Sequence, residues 1–186
     1  MEDQMKKNLL RALFLSLLIT IFVLIFNFSS QNGEESGSLS KMVTEKIVNT
    51  LPYIKDLDFD DKEKIIENGE IIVRKLAHLS IYTLVGIFAM AFMCTFNTKL
   101  LYKFGISFLV GLIYAITDEY HQSFVAGRGP AITDVCIDTA GVCIGIVIVL
   151  IIISIFLQYP ANASSIELST ISQTKWCNPL LSVLPI

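Results

Sequence analysis

Three short stretches of the chain carry residue types that do chemistry. Arg74, Lys75 and His78 fall close together, Asp118, Glu119, His121 and Gln122 form a second group, and Arg128, Asp134 and Asp138 follow. Histidine titrates near neutral pH, so His78 or His121 can serve as general acid or base. Arg74, Lys75 and Arg128 can hold a phosphate or carboxylate, arginine by a two-pronged contact. Asp118, Glu119, Asp134 and Asp138 can orient a histidine or bind a divalent cation. No nucleophile stands out. Ser123 lies nearby without the sharp strand-to-helix motif that exposes a catalytic serine. Activated water is therefore the expected attacking group of a hydrolase or transferase. Taken singly, each residue reads equally well as an interfacial anchor or a structural ion pair.

The elements that must position these groups follow from hydropathy. The chain has 186 residues, 53% of them hydrophobic and 17% charged, a balance too apolar for an ordinary soluble domain. Apolar runs predict four transmembrane helices at about 9–28, 71–96, 103–120 and 133–157, each near the roughly 20 residues that cross a bilayer. The first run exceeds the core of a secretory signal peptide, so it reads as a retained anchor. The expected fold is an all-α, polytopic, four-helix membrane bundle. Residues 1–158 form one domain, and 159–186 form a poorly ordered cytoplasmic tail.

Between the first two spans lies a polar segment in which Leu39, Met42, Val43, Ile47, Leu51 and Ile54 recur at helical spacing. An amphipathic extracytoplasmic helix lying on the membrane is expected there. The Ser29–Gly33 stretch before it reads as irregular, and Asp60 with Glu63 as a helix start. Of seventeen acids, ten lie in residues 34–70. No basic patch with interleaved aromatics occurs, which argues against nucleic acid as a partner. Cys94, Cys136, Cys143 and Cys177 include no paired spacing, so neither a disulfide framework nor a zinc ribbon is expected.

Lysine and arginine placement orients the bundle. Lys6, Lys7 and Arg11 precede the first span, and Lys99 and Lys103 flank the turn between the second and third. Both groups belong inside, so both termini are cytoplasmic. All three polar stretches then meet at the outer face. Helix phase groups Arg74, His78 and Tyr82 on one stripe, and Tyr114, Asp118, His121 and Gln122 on another. Asp134, Asp138, Gly141 and Gly145 form the third. Its small-residue pair permits close helix approach, which turns the two aspartates into the bundle.

On these residues the chain resembles the VanZ-like membrane protein family. The matching stretches are Ser29-Ser30-Gln31, Arg74-Lys75-Leu76-Ala77-His78 with Tyr82, Asp118-Glu119 with His121-Gln122, Gly127-Arg128, Asp134, Asp138, Gly141 and Gly145. The resemblance covers roughly residues 10–155. It departs at Ile81, where many relatives carry a glutamate. The resemblance implies a bacterial cytoplasmic-membrane protein of the cell envelope, associated with resistance to the glycopeptide antibiotic teicoplanin. Resistance is a phenotype rather than a reaction.

Two function classes remain open at this point. In one, an enzyme acts at the outer leaflet on a membrane lipid or lipid-linked cell-wall intermediate. His78, Asp118, Glu119 and His121 would be catalytic, and Arg74, Lys75, Tyr82, Gln122, Arg128, Asp134 and Asp138 would bind substrate. In the other, the same cluster recognises its ligand without turnover, as an accessory protein. A structural cluster or transporter element is the third reading, and transport lacks a polar path to the inside.

Overall fold

The structure, a computed structural model, describes residues 2–51 and 58–162. It contains five helices and, among the described residues, no strand. These are α1 (Glu2–Ser29), α2 (Gly33–Thr50), α3 (Phe59–Cys94), α4 (Leu100–Gln122) and α5 (Ile132–Asn162). Four of them, all but α2, are long and apolar enough to cross a membrane. By that length and composition the chain is a multi-pass membrane protein. Large apolar side chains such as Leu9, Val23, Ile113, Ile151 and Phe156 point outward from the bundle. Each would cost about 1.5–3 kcal/mol to hold in water rather than in an apolar medium. In lipid that cost vanishes.

Helix α3 is the hub and packs on all four of the others, most extensively on α5. Small residues make this seam. A Cβ at Gly141 would meet the Leu79 carbonyl, one at Gly145 the Thr83 carbonyl, and one at Gly86 the Val142 carbonyl. Without a water-driven force between spans, such close backbone approach is what holds membrane helices together. The core around the seam is Tyr82, Val85, Met90, Val142 and Ile146, all fully buried, joined by Leu18, Ile21 and Ile25 of α1. Helices α1 and α4 are tied by the Tyr114 hydroxyl, which donates to the Phe22 carbonyl at 2.6 Å while the two rings stack at 3.9 Å.

The expected spans are all present, and two details differ. The second helix begins at Phe59, not near Ile71, because the expected start at Asp60 runs on into the apolar span with no proline between them. At 1.5 Å per residue its 36 residues span about 54 Å, well beyond the roughly 30 Å hydrocarbon layer. Its first half therefore projects from the bundle, and α2 packs on that projection. The stretch before α2 is also more ordered than expected. Ser29 closes α1, and Asn32 caps α2 by accepting the Glu35 N–H at 2.8 Å.

The amphipathic segment is helical as expected, and its polar face, not its apolar one, packs on the protein. Ser40, Thr44 and Val48 face α3, while Leu39, Met42, Val43 and Ile47 are exposed. Thr44 fits where a Cβ at Gly69 would sit, so small residues meet on this contact too. The expected position Ile54 lies outside the described residues, as do residues 163–186 of the expected tail, while its residues 159–162 end α5.

Candidate functional site

One end of the bundle collects the end of α1, the middle of α3, the end of α4 and the start of α5. The turn between α4 and α5 closes it. Gly127 has a φ of 76°, a left-handed value that an L side chain adopts only with strain. This turn is docked onto α2, whose first residue donates from the Gly33 N–H to the Ala126 carbonyl at 3.0 Å. The approach is close enough that a Cβ at Gly33 would overlap Gly127. Both glycines thus fix where Arg128 enters.

The deepest layer holds His78, Tyr82, Asp118, Gln122 and Asp138. Asp138 is 1% exposed and Tyr82 is fully buried. The His78 Nδ1 lies 3.3 Å from an Asp138 carboxylate oxygen. The angles there are not those of a hydrogen bond, so Nδ1 and both Asp138 oxygens are buried without a hydrogen-bond partner, as is the Tyr82 hydroxyl. Asp118 accepts from the Gln122 amide at 3.0 Å, and the same amide reaches the Ser29 hydroxyl at 3.3 Å. Ligand atoms of His78, Asp118 and Asp138 all lie within 4.8 Å of one another.

Above this layer sit the basic residues. Lys75 pairs with Asp134 at 3.4 Å in a half-exposed contact. Arg128 donates to the Phe28 carbonyl at 3.4 Å, yet its buried Nε and that of Arg74 have no partner. Burial lowers the Arg128 pKa from its ordinary value, and the positive Arg74 guanidinium lowers it further, while Asp118 and Glu119 oppose the shift. Two guanidiniums held in mutual repulsion, each with a spare buried donor, have the chemistry to hold an anion.

Two cavities adjoin at these residues. The first, about 250 Å³, is lined by Arg74, Lys75, His78, Arg128, Asp134 and Asp138 among others. The second, about 290 Å³, lies between α1, α2 and α3 and is walled by Ile25, Phe28, Leu39, Val43, Val73 and Ile81. Arg74, His78 and Arg128 line both. The pair offers a charged chamber beside an apolar one.

Two residues expected in the same group are held elsewhere. His121 turns toward α1, where its Nε2 lies 3.1 Å from the Ser30 hydroxyl and its ring stacks 4.7 Å from Phe26. Glu119 is buried but accepts the Ala131 N–H at 2.5 Å, which satisfies a backbone donor just before α5. The remaining expected residues, Arg74, Lys75, His78, Tyr82, Asp118, Gln122, Arg128, Asp134 and Asp138, converge. The apolar walls from α2 were not among the expected site residues. Their only sequence signal was the amphipathic stripe containing Leu39 and Val43.

The family model described as VanZ/LLP1 matches residues 14–157, which include every residue of this site. No curated protein and no solved structure matches the chain.

Proposed function

The chain belongs to the VanZ/LLP1 family, and from that premise we propose that it binds an amphipathic, anionic cell-envelope substrate at the outer face of a bacterial cytoplasmic membrane. The substrate is a lipid-linked phosphate or a comparable cell-wall intermediate. Arg74, Lys75 and Arg128 hold its head group, and the apolar cavity takes the start of its hydrocarbon chain. Glycopeptide resistance, teicoplanin included, is the cellular outcome of that binding.

The observation that carries this reading is the junction of the two cavities at Arg74, His78 and Arg128. A soluble anion would need only the charged chamber. A neutral lipid would leave two buried guanidinium nitrogens without partners, at about 1–3 kcal/mol each. An amphiphile with an anionic head satisfies both chambers at once. The outward orientation is supported by the far end of the bundle, where Arg11 contacts Thr95 close to Lys99. The two basic groups expected on the cytoplasmic side therefore share one end.

A second reading, turnover of the same substrate, is favoured by the His78–Asp138 contact. A histidine facing a buried carboxylate is a candidate base for water. Water would add to the phosphorus or acyl carbon, His78 would take its proton, and the proton would pass to the departing oxygen as the bond to it breaks.

The test is teicoplanin susceptibility in a sensitive bacterial host expressing the chain. Wild type should raise the inhibitory concentration, while Arg74→Ala, Arg128→Ala and Asp138→Asn should return it to the empty-vector level at unchanged membrane abundance. Protection that persists in all three variants would overturn the proposal.

A further inference from the structure

We propose that His78, Asp118 and Asp138, closed by the Tyr82 hydroxyl, bind a divalent first-row metal ion of the Mn²⁺ or Zn²⁺ type. The site stands on its own geometry and does not depend on the lipid reading above.

The first argument is spacing. Metal bonds to nitrogen and carboxylate oxygen run about 2.0–2.2 Å, so neighbouring ligands on one ion lie about 3.0–3.5 Å apart and opposite ones at most about 4.4 Å. His78 Nδ1 and its Asp138 oxygen are 3.3 Å apart, the separation of neighbouring ligands. Ligand atoms of all three residues lie within 4.8 Å of one another, close to the widest separation that one ion spans.

The second argument is unspent bonding capacity. A buried polar atom is nearly always hydrogen-bonded. Here Nδ1 of His78, both oxygens of Asp138 and the Tyr82 hydroxyl are buried without a hydrogen-bond partner. Tyr82 comes from the next turn of α3, is 0% exposed and lies within electrostatic reach of both Asp118 and Asp138. Nδ1 of His78 and both oxygens of Asp138 thus stand unengaged beside Asp118, against which the Tyr82 hydroxyl lies. A cation there would satisfy lone pairs of all three ligands and leave the tyrosine hydroxyl to donate to a bound carboxylate.

The third argument is charge. Two carboxylates outnumber one imidazole, so the trio has more sites for negative than for positive charge. Of the cations around it, Lys75 is paired with Asp134 at the edge. Arg128 lies within range of Asp118 and His78, but it donates to the Phe28 carbonyl. An unpaired buried carboxylate is expensive in a membrane bundle. One imidazole with two carboxylates suits Mn²⁺ or Zn²⁺ better than the all-oxygen shell that Mg²⁺ favours. With the ion bound, His78 is a ligand rather than a base, and activation of water passes to the metal.

The full-length chain, purified in detergent and stripped with chelator, should be titrated with Mn²⁺ and with Zn²⁺. The expected result is saturable uptake of one ion per chain. His78→Ala and Asp138→Asn should each weaken it by more than the roughly 10–100-fold that outer-shell changes cost. Cys136→Ser, at an exposed thiol, should leave it unchanged. Pulsed electron paramagnetic resonance on the Mn²⁺-loaded wild type should show coupling to a histidine nitrogen, which keeps the test decisive even when a variant misfolds. Absence of stoichiometric uptake, absence of nitrogen coupling, or wild-type affinity in both variants would overturn the site. Metal uptake without lipid-phosphate binding would leave this site standing and remove the lipid proposal instead.

Discussion

At one end of the bundle the Arg11 guanidinium is fully engaged. It donates to the Thr95 hydroxyl at 3.3 Å, to the Thr95 carbonyl at 3.2 Å and to the Asn8 side chain at 3.2 Å, and lies 4.4 Å from the centre of the Phe96 ring. At the other end Arg74 and Arg128 keep buried Nε atoms with no partner, beside a carboxylate whose two oxygens are equally unengaged. Both ends bring arginine side chains to a place where helices meet. The difference lies in what is left over. Arg11 ties α1 to the end of α3 and has its job within the chain, whereas the opposite end retains donors and acceptors that the chain leaves without partners. That contrast separates an anchor from a binding site better than charge or residue type does.

The comparison presupposes that one seam fixes both ends. Gly145→Leu tests it, because the new side chain would overlap the Thr83 carbonyl. The expected cost exceeds the roughly 1–3 kcal/mol of ordinary overpacking, since backbone must move. Loss of monodisperse, folded protein is the expected readout. A variant that purifies and melts like wild type would remove the seam from the account.

The next effect is a crossed pair. Arg74→Ala should weaken binding of a lipid phosphate by about tenfold or more, the worth of one charge-assisted hydrogen bond, with little loss of thermal stability. Arg11→Ala should do the reverse and cost about 1 kcal/mol of stability with binding intact. Thermal melts and ligand titration on the same preparations read both. Destabilisation by Arg74→Ala of the size seen for Arg11→Ala would erase the distinction between the ends.

The smallest effect belongs to the Lys75–Asp134 pair. Both side chains are about 40% exposed, so Lys75→Ala should change stability by less than about 1 kcal/mol. A larger loss in a melt would mean that the pair is structural.

The four spans were legible because runs such as Gly145–Leu157 are apolar all round, and a bilayer asks for little else. The helix start at Asp60 was legible, but its continuity with the second span was hidden because Asp61, Glu63 and Glu67 register as polar loop in a hydropathy reading. The contact face of α2 was only half legible. Periodicity marks Leu39, Met42 and Ile47 as one stripe, but lipid and protein are both apolar, so it cannot say which of them the stripe meets. Within the site, phase on a single helix carried far. It put Asp118 and Gln122 on one arc and Gly141 and Gly145 against a neighbour. His121 lies about 60° round the helix from Asp118 and about 100° from Gln122, enough to hand it to α1 instead. The closeness of His78 to Asp138 depends on where two helices cross, which no single-helix pattern contains.

The central claim is that the partly unsatisfied end receives an anionic lipid head group. Its most direct measurement is the affinity of the full-length chain, in nanodiscs, for a long-chain lipid monophosphate against the alcohol of the same chain. A preference of about tenfold or more for the phosphate is expected, and it should disappear in the Arg74→Ala, Arg128→Ala double variant. Equal affinity for phosphate and alcohol, or a preference that survives the double variant, would contradict it.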